Sequence, residues 1–253
     1  EISEGIITNS KATKKFLNQK FLIEKNKMSV IYNGLVPKSS INNNKRYTDK
    51  ISIGYLGRFE TQKGIPSILD ASVILKKYNF YFAGYGPWEE YIIQKSKENS
   101  NIFLVGKIKN FYDFLSKIDI LVVPSIREPF GNVIVEAGFS GKAVIASKID
   151  GIPEIILNEK FGYLIKPNDP INLNFRPINS LMYPQNVFCP EKNKLVNPKQ
   201  INSKELASAI SELAENKKLR VKLGRNLKER VSKNYSLENY FNSIENYYLN
   251  RNR

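Results

Sequence analysis

The sequence predicts an α/β fold, a Rossmann-like parallel sheet with helices on both faces, and two observations predict it. Between residues 51 and 165 short apolar runs alternate with stretches of helical periodicity, the pattern of successive strand–helix–strand units. Gly or Pro follows most of the apolar runs, as Gly57, Gly84, Gly106 and Pro124 do, which is how strands that end in tight turns read.

Candidate strands in chain order are 51–56, 79–83, 101–105, 119–123, 143–146 and 163–165. Between them the helical patterns cover 66–77, with Pro66 in the first turn, then 88–97, 111–117 and 131–140. Residues 167–202 break this rhythm: six of the twelve prolines fall there and no periodicity shows, so 170–202 is expected to be an irregular insertion. Beyond it Leu206, Ala209, Ile210 and Leu213 recur at helical spacing behind a capping pair, Asn202 and Glu205, and helical patterning runs to about 249. The opening reads as a helix over 11–23, a strand over 28–32 and a turn at Asn33-Gly34. A polar, Asn-rich run over 38–50 has the composition of a linker between domains.

Composition narrows the chemistry. A chain of 253 residues with 42% hydrophobic content can bury a full-sized core in one or two domains. No window approaches the roughly 18 uncharged apolar residues of a membrane-spanning helix, and no secretory signal pattern opens the chain, so a cytoplasmic protein is expected. It opens with Glu1 rather than Met, which suits a piece of a longer protein. The lone Cys189 cannot form an intrachain disulfide. The absence of histidine removes imidazole catalysis, Ser-His-Asp triads and His-based zinc sites from this stretch. The formal charge of +15 attracts polyanions, whether nucleic acid, an anionic membrane surface or a phosphorylated ligand, and a Lys-rich solvated surface gives the same number.

Two constellations stand at strand-to-helix turns, where open α/β sheets bind ligands and helix N-termini attract anions. The first runs from Gly57 to Gly64: Arg58 can grip phosphate oxygens through paired hydrogen bonds and Lys63 adds a compact second charge. An ordinary basic loop would carry the same residues. In the second, from Glu128 to Glu136, Pro129 and Gly131 suit a tight turn with exposed amides, and Glu136 lies about a turn inside the helix. Carboxylates eight residues apart can reach two parts of one extended ligand, can act as a glycosidase pair, or can simply be solvated. Gly84-Tyr85-Gly86-Pro87 and Gly106-Lys107 are weaker signals, since turns explain Gly-x-Gly equally well. Glu89 stands where a dinucleotide fingerprint has its third glycine, which argues against a simple NAD enzyme.

In order, Gly57-Arg58, Lys63-Gly64, Gly84-Tyr85-Gly86-Pro87, Val105-Gly106, Pro124-Ser125, Glu128-Pro129-Phe130-Gly131, Glu136-Ala137, Gly141 and Gly151-Ile152-Pro153-Glu154 resemble the donor-binding domain of the retaining family-four glycosyltransferases. The resemblance implies the C-terminal domain of a two-domain GT-B fold plus a remnant of the N-terminal domain. On that reading 1–37 is the end of an N-terminal domain, mostly missing here, with its linker. The polar linker follows at 38–50, the donor-binding domain at 51–202 and its C-terminal helices at 203–253.

The activity implied is transfer of a hexose-type residue from a nucleoside diphosphate sugar, with a UDP-sugar expected, to a glycan or lipid-linked acceptor with retention. Arg58, Lys63 and Glu128 are the implied catalytic residues: the two cations hold the diphosphate and Glu128 meets sugar hydroxyls. Glu136 would take the ribose, Lys107 and Ile108 would border the base, and Gly57 with the amides of Phe130, Gly131, Asn132 and Val133 would line the sugar and phosphates. No metal or other cofactor is implied, and the chain has no Asp-x-Asp sequence. A peripheral position at the inner membrane face would serve a lipid-linked acceptor. Two rivals stand beside it: a nucleotide-sugar-binding module without catalysis, and a basic nucleic-acid-binding protein. The second rests on charge alone, and no nucleic-acid partner is implied.

Overall fold

The computed structural model describes residues 5–37, 47–173 and 175–249. The chain opens with β1 (Ile6–Thr8), α1 (Lys11–Phe21) and β2 (Met28–Val30). The alternating region then gives β3 (Ser52–Leu56), α2 (Ile65–Ile74), β4 (Asn79–Ala83), α3 (Glu89–Glu98), β5 (Ile102–Gly106), α4 (Phe111–Lys117) and β6 (Ile120–Val123). It continues through α5 (Asn132–Phe139), β7 (Ala143–Ser147), the short α6 (Ile152–Ile155) and β8 (Tyr163–Ile165). Last come β9 (Val187–Cys189), β10 (Lys194–Val196), α7 (Ser203–Glu215), α8 (Lys217–Asn234) and α9 (Leu237–Leu249).

The six strands read from the sequence form one sheet, ordered β5-β4-β3-β6-β7-β8 and parallel throughout. The order reverses between β3 and β6, so the turns leaving these two neighbours diverge to opposite faces and open a crevice at their carboxyl ends. Those two turns hold both constellations. Period-two side-chain alternation feeds two cores: Phe80, Phe82, Ile120 and Val122 point to one, Tyr81, Leu121 and Val123 to the other. Helices α2 and α7 cover the first face through Ile68, Leu69, Leu206 and Ile210. The second is covered by α4, α5 and α8 through Phe114, Ile134, Val135, Leu227 and Val231.

The structure corrects the sequence reading at three points. The helix expected to reach 77 ends at Ile74, because the buried side chain of Asn101 donates to the carbonyls of Ser72, Leu75 and Tyr78 and closes the turn there. The insertion at 170–202 is not irregular throughout. It holds the antiparallel pair β9 and β10, which packs against α1. Asn202 does cap α7, accepting from the amides of Lys204 and Glu205, but the Glu205 carboxylate turns instead to Asn168, so no reciprocal capping box forms.

The opening segment is docked on the sheet domain. β1 and β2 pair in parallel, and Ser10 caps α1 by accepting from the amide of Thr13. The remaining first-turn amides, Lys11 and Ala12, donate to the carboxylate of Glu154 at 2.9 and 2.8 Å, so a residue of α6 caps α1 from outside. Most of the linker expected at 38–50 lies outside the described residues. Its described end is held where Tyr47 stacks on Tyr81 with ring centroids 4.2 Å apart. Among the described residues no helix is long and apolar enough to cross a membrane.

Candidate functional site

The turn after β3 is built on close backbone approach. The amide of Gly57 donates to Ala83 O and that of Phe59 to Tyr85 O at 2.7 Å, which draws the turns after β3 and β4 together. A Cβ at Gly84 would stand 1.8 Å from the carbonyl oxygen of Gly57, so only glycine fits there. The hydroxyl of Tyr55 donates to Arg58 O at 2.8 Å and fixes the peptide from which the Arg58 side chain leaves. The turn ends at Gly64, whose φ of 66° and whose Cβ position, 2.0 Å from Pro124 O, also exclude a side chain. Gln62 O accepts from the amides of Ile126 and Arg127. The two turns are therefore sewn to each other across the switch point.

The second turn presents Glu128 and leads through Gly131 into α5, whose N-terminus no side chain caps. Glu128 is 8% exposed. The ammonium of Lys63 lies 2.6 Å from its Oε2, and Ser125 Oγ donates to the same oxygen at 3.2 Å. The sequence reading sent Lys63 and Glu128 to different parts of a ligand; the structure pairs them with each other. Glu136, on the second turn of α5, is largely buried, and that burial pushes its carboxyl up to about 7. Across from it Lys107 lies 5.3 Å from the ring centroid of Tyr85.

These groups line one divided cleft. A cavity of about 300 Å³ holds Lys63, Glu128, Phe130 and Gly131. A second, of about 360 Å³, holds Lys107, Ile108 and Glu136. Gly57, Arg58, Asn132 and Val133 line both, so Arg58 stands at the junction. Every residue to which the sequence reading gave a catalytic or donor-binding role thus lines the cleft, although the ring of Phe130 is buried against Tyr32 and Tyr235. Sequence reasoning missed Asn9 and Asn33, which line the first cavity from the opening segment. Asn33 Nδ2 donates to Asn132 Oδ1 at 2.9 Å, and Ser10 Oγ donates to Pro129 O at 2.6 Å. Tyr85, Lys109 and Phe111 in the second cavity were also missed as lining residues, although Tyr85 lay inside a quoted motif.

The switch point of this doubly wound parallel sheet thus brings together cations, an uncapped helix N-terminus and a buried carboxylate. The chain belongs to the group 1 glycosyl transferases, whose family model matches residues 38–182, more than half of the chain. It is similar to an uncharacterized glycosyltransferase of Methanocaldococcus jannaschii, 34% identical over 178 residues, covering 68% of this chain and 48% of that protein. The capsular polysaccharide biosynthesis glycosyltransferase CapM of Staphylococcus aureus is 25% identical over 238 residues, covering 91% of this chain and 51% of CapM. The chain therefore spans about half the length of the curated relatives it matches. Its fold is that of Anabaena HepE in complex with UDP-glucose, at a TM-score of 0.76 and 19% identity over 99% of this chain and 65% of that one. S. aureus TarM, in a complex that contains UDP, matches at a TM-score of 0.73 and 20% identity, over 96% of this chain and 43% of TarM.

Proposed function

We propose that this chain is the donor-binding half of a retaining glycosyltransferase that moves a hexose-type residue from a UDP-sugar to a glycan or lipid-linked acceptor. The observation that carries the proposal is the division of the cleft, with Lys63 and Glu128 at one end, Glu136 and Lys107 at the other and Arg58 between. That spacing of charge matches a ligand with a sugar, a diphosphate and a nucleoside in line.

Leaving-group departure builds negative charge on the nucleotide phosphate, and fixed cations and amides stabilise it without having to reorient. Arg58 would take the diphosphate through two N–H groups, Lys63 would swing from Glu128 to join it, and the first amides of α5 would add a partial positive charge. With those groups in place the donor calls for no metal ion. Glu128 would accept from sugar hydroxyls and Glu136 from the two ribose hydroxyls, while Lys107 and Ile108 border the base. No residue is assigned as a covalent nucleophile, and retention comes from the family resemblance. UDP is preferred as the nucleotide because the similar HepE and TarM structures contain it. A cytoplasmic chain of charge +15 is also suited to rest against an anionic inner membrane face where a lipid-linked acceptor would sit.

Calorimetric titration of wild type and Arg58→Ala with uridine and UDP tests the assignment. The variant is expected to lose about ten-fold or more in affinity for UDP and little for uridine, since a lost charge-assisted pair is worth that much. Equal losses for the two ligands would return the turn to ordinary basic surface.

A further inference from the structure

We infer that Asp150 is a positioning residue for the donor sugar: its carboxylate fixes the turn that aims Glu128 into the cleft and ties that turn to the β9–β10 hairpin. Oδ2 of Asp150 accepts from the amide of Glu128 at 2.9 Å and Oδ1 accepts from the amide of Phe188 at 2.7 Å. Both links are doubled through the backbone. Gly151 N donates to Glu128 O at 3.2 Å, and Asp150 N donates to Phe188 O at 3.0 Å. The Glu128 residue is thus held at its N–H and its C=O from one neighbouring turn, which leaves its side chain free to meet Lys63 and Ser125 in the cavity.

The choice of residue is costly, which argues for a purpose beyond turning the chain. Asp150 sits in the left-handed region, at φ 43°, where glycine or asparagine is the easier residue. It is also 5% exposed, so the fold buries a carboxyl group. That burial pushes it up to about 6, while the amides of Glu128 and Phe188 favour its charged form. Glycine would relieve the backbone and remove both bonds. Asparagine would keep one acceptor and turn an amide N–H toward the other donor, so only an acid serves two amides at once. Through Phe188 the same carboxylate reaches the hairpin that packs on α1, so the inserted segment braces the sugar end of the cleft.

The role of Asp150 rests on the donor reading proposed above, and the test keeps the two apart. UDP and UDP-glucose are titrated into the 253-residue chain and into Asp150→Gly, Asp150→Asn, Glu128→Ala and the Glu128→Ala/Asp150→Gly double variant. Both Asp150 variants should lose about ten-fold or more for UDP-glucose while staying within about two-fold for UDP. The double variant should match Glu128→Ala, because the two residues act on one contact. A mere fold-stabilising residue would weaken both ligands alike or add its loss to that of Glu128, and either result overturns the inference. Hydrogen exchange without ligand supplies the second arm: the amides of Glu128 and Phe188 should lose protection together in Asp150→Gly. If either stays protected the inference fails, whatever the ligands do. Wild type that binds neither probe, or a Glu128→Ala variant without sugar-selective loss, defeats the donor reading and with it the sugar role of Asp150, while the exchange arm still decides whether Asp150 fixes the Glu128 turn.

Discussion

At the residue scale the cleft holds two carboxylates in opposite circumstances. Glu128 is paired with Lys63 at 2.6 Å, so removing it frees a cation beside the proposed diphosphate. Glu128→Ala is therefore expected to leave UDP affinity unchanged or tighter while weakening UDP-glucose; parallel weakening of both, measured calorimetrically, would separate Glu128 from the sugar. Glu136 has no such partner among the described residues, and burial lifts its carboxyl to about 7, well above its ordinary value of 4.5. The folded state then holds a proton that the unfolded chain has released. Stability conferred by the neutral form is full below the ordinary carboxyl range and is lost as pH rises toward about 7. Ligand binding has the opposite slope, since two ribose hydroxyls need an ionised acceptor. UDP-glucose affinity should rise as pH passes through about 7 and level off above, and Glu136→Gln should flatten the profile. UDP-glucose is the suitable probe because its diester diphosphate lacks the monoester ionisation near pH 6. A wild-type profile that falls or stays level would remove Glu136 from the ribose.

At the element scale the legible parts were those that speak in periodicity. Six strands and four of the helices between them were readable because each buries a face along consecutive residues, and Gly57, Gly84 and Gly131 punctuate them; the single turn α6 was not read. The hairpin was not, because β9 and β10 have three residues each and gain their support from α1, far away in sequence. Asp150 was hidden for the same reason: its two partners lie 22 and 38 residues away. Glu154 shows how much one distant contact can do. It appears in the Gly151–Glu154 motif, yet its carboxylate is spent on the amides of Lys11 and Ala12 and the hydroxyl of Tyr32, all outside the cleft. Burial, helped by that carboxylate, holds the Tyr32 hydroxyl well above the usual phenol range, so it stays a donor. Glu154→Ala should release α1, costing on the order of 2 kcal/mol in urea unfolding for the lost charge-assisted bonds. Exchange should quicken at Lys11 and Ala12 while β3 keeps its protection. A variant with wild-type exchange at α1 would show that the segment is held without Glu154.

At the scale of the whole molecule, the cleft is assembled by turns of the sheet domain with Asn9 and Asn33 at its edge, and the chain matches only about half the length of its curated relatives. Transfer needs donor and acceptor held in reacting geometry with water kept out. Arg58, Lys63, Glu136 and α5 can hold a nucleotide from one side, and nothing in that arrangement orients a second substrate. The 253-residue chain taken alone is therefore expected to bind UDP-sugar and to transfer it poorly, which is also how a binding module without catalysis would behave. Joining it to a preceding domain of the kind its relatives' length allows separates the two. A donor-binding half should gain turnover by orders of magnitude with little change in UDP affinity, because the added wall serves the acceptor and the closed state rather than the nucleotide. A binding module should gain nothing. The assay gives both forms the same nucleotide sugar and a mixed set of glycan and lipid-linked acceptors and follows release of UDP together with labelled product. Efficient transfer by the chain alone would assign the second wall to the opening segment and the inserted hairpin, which already meet at α1 beside the sugar end of the cleft.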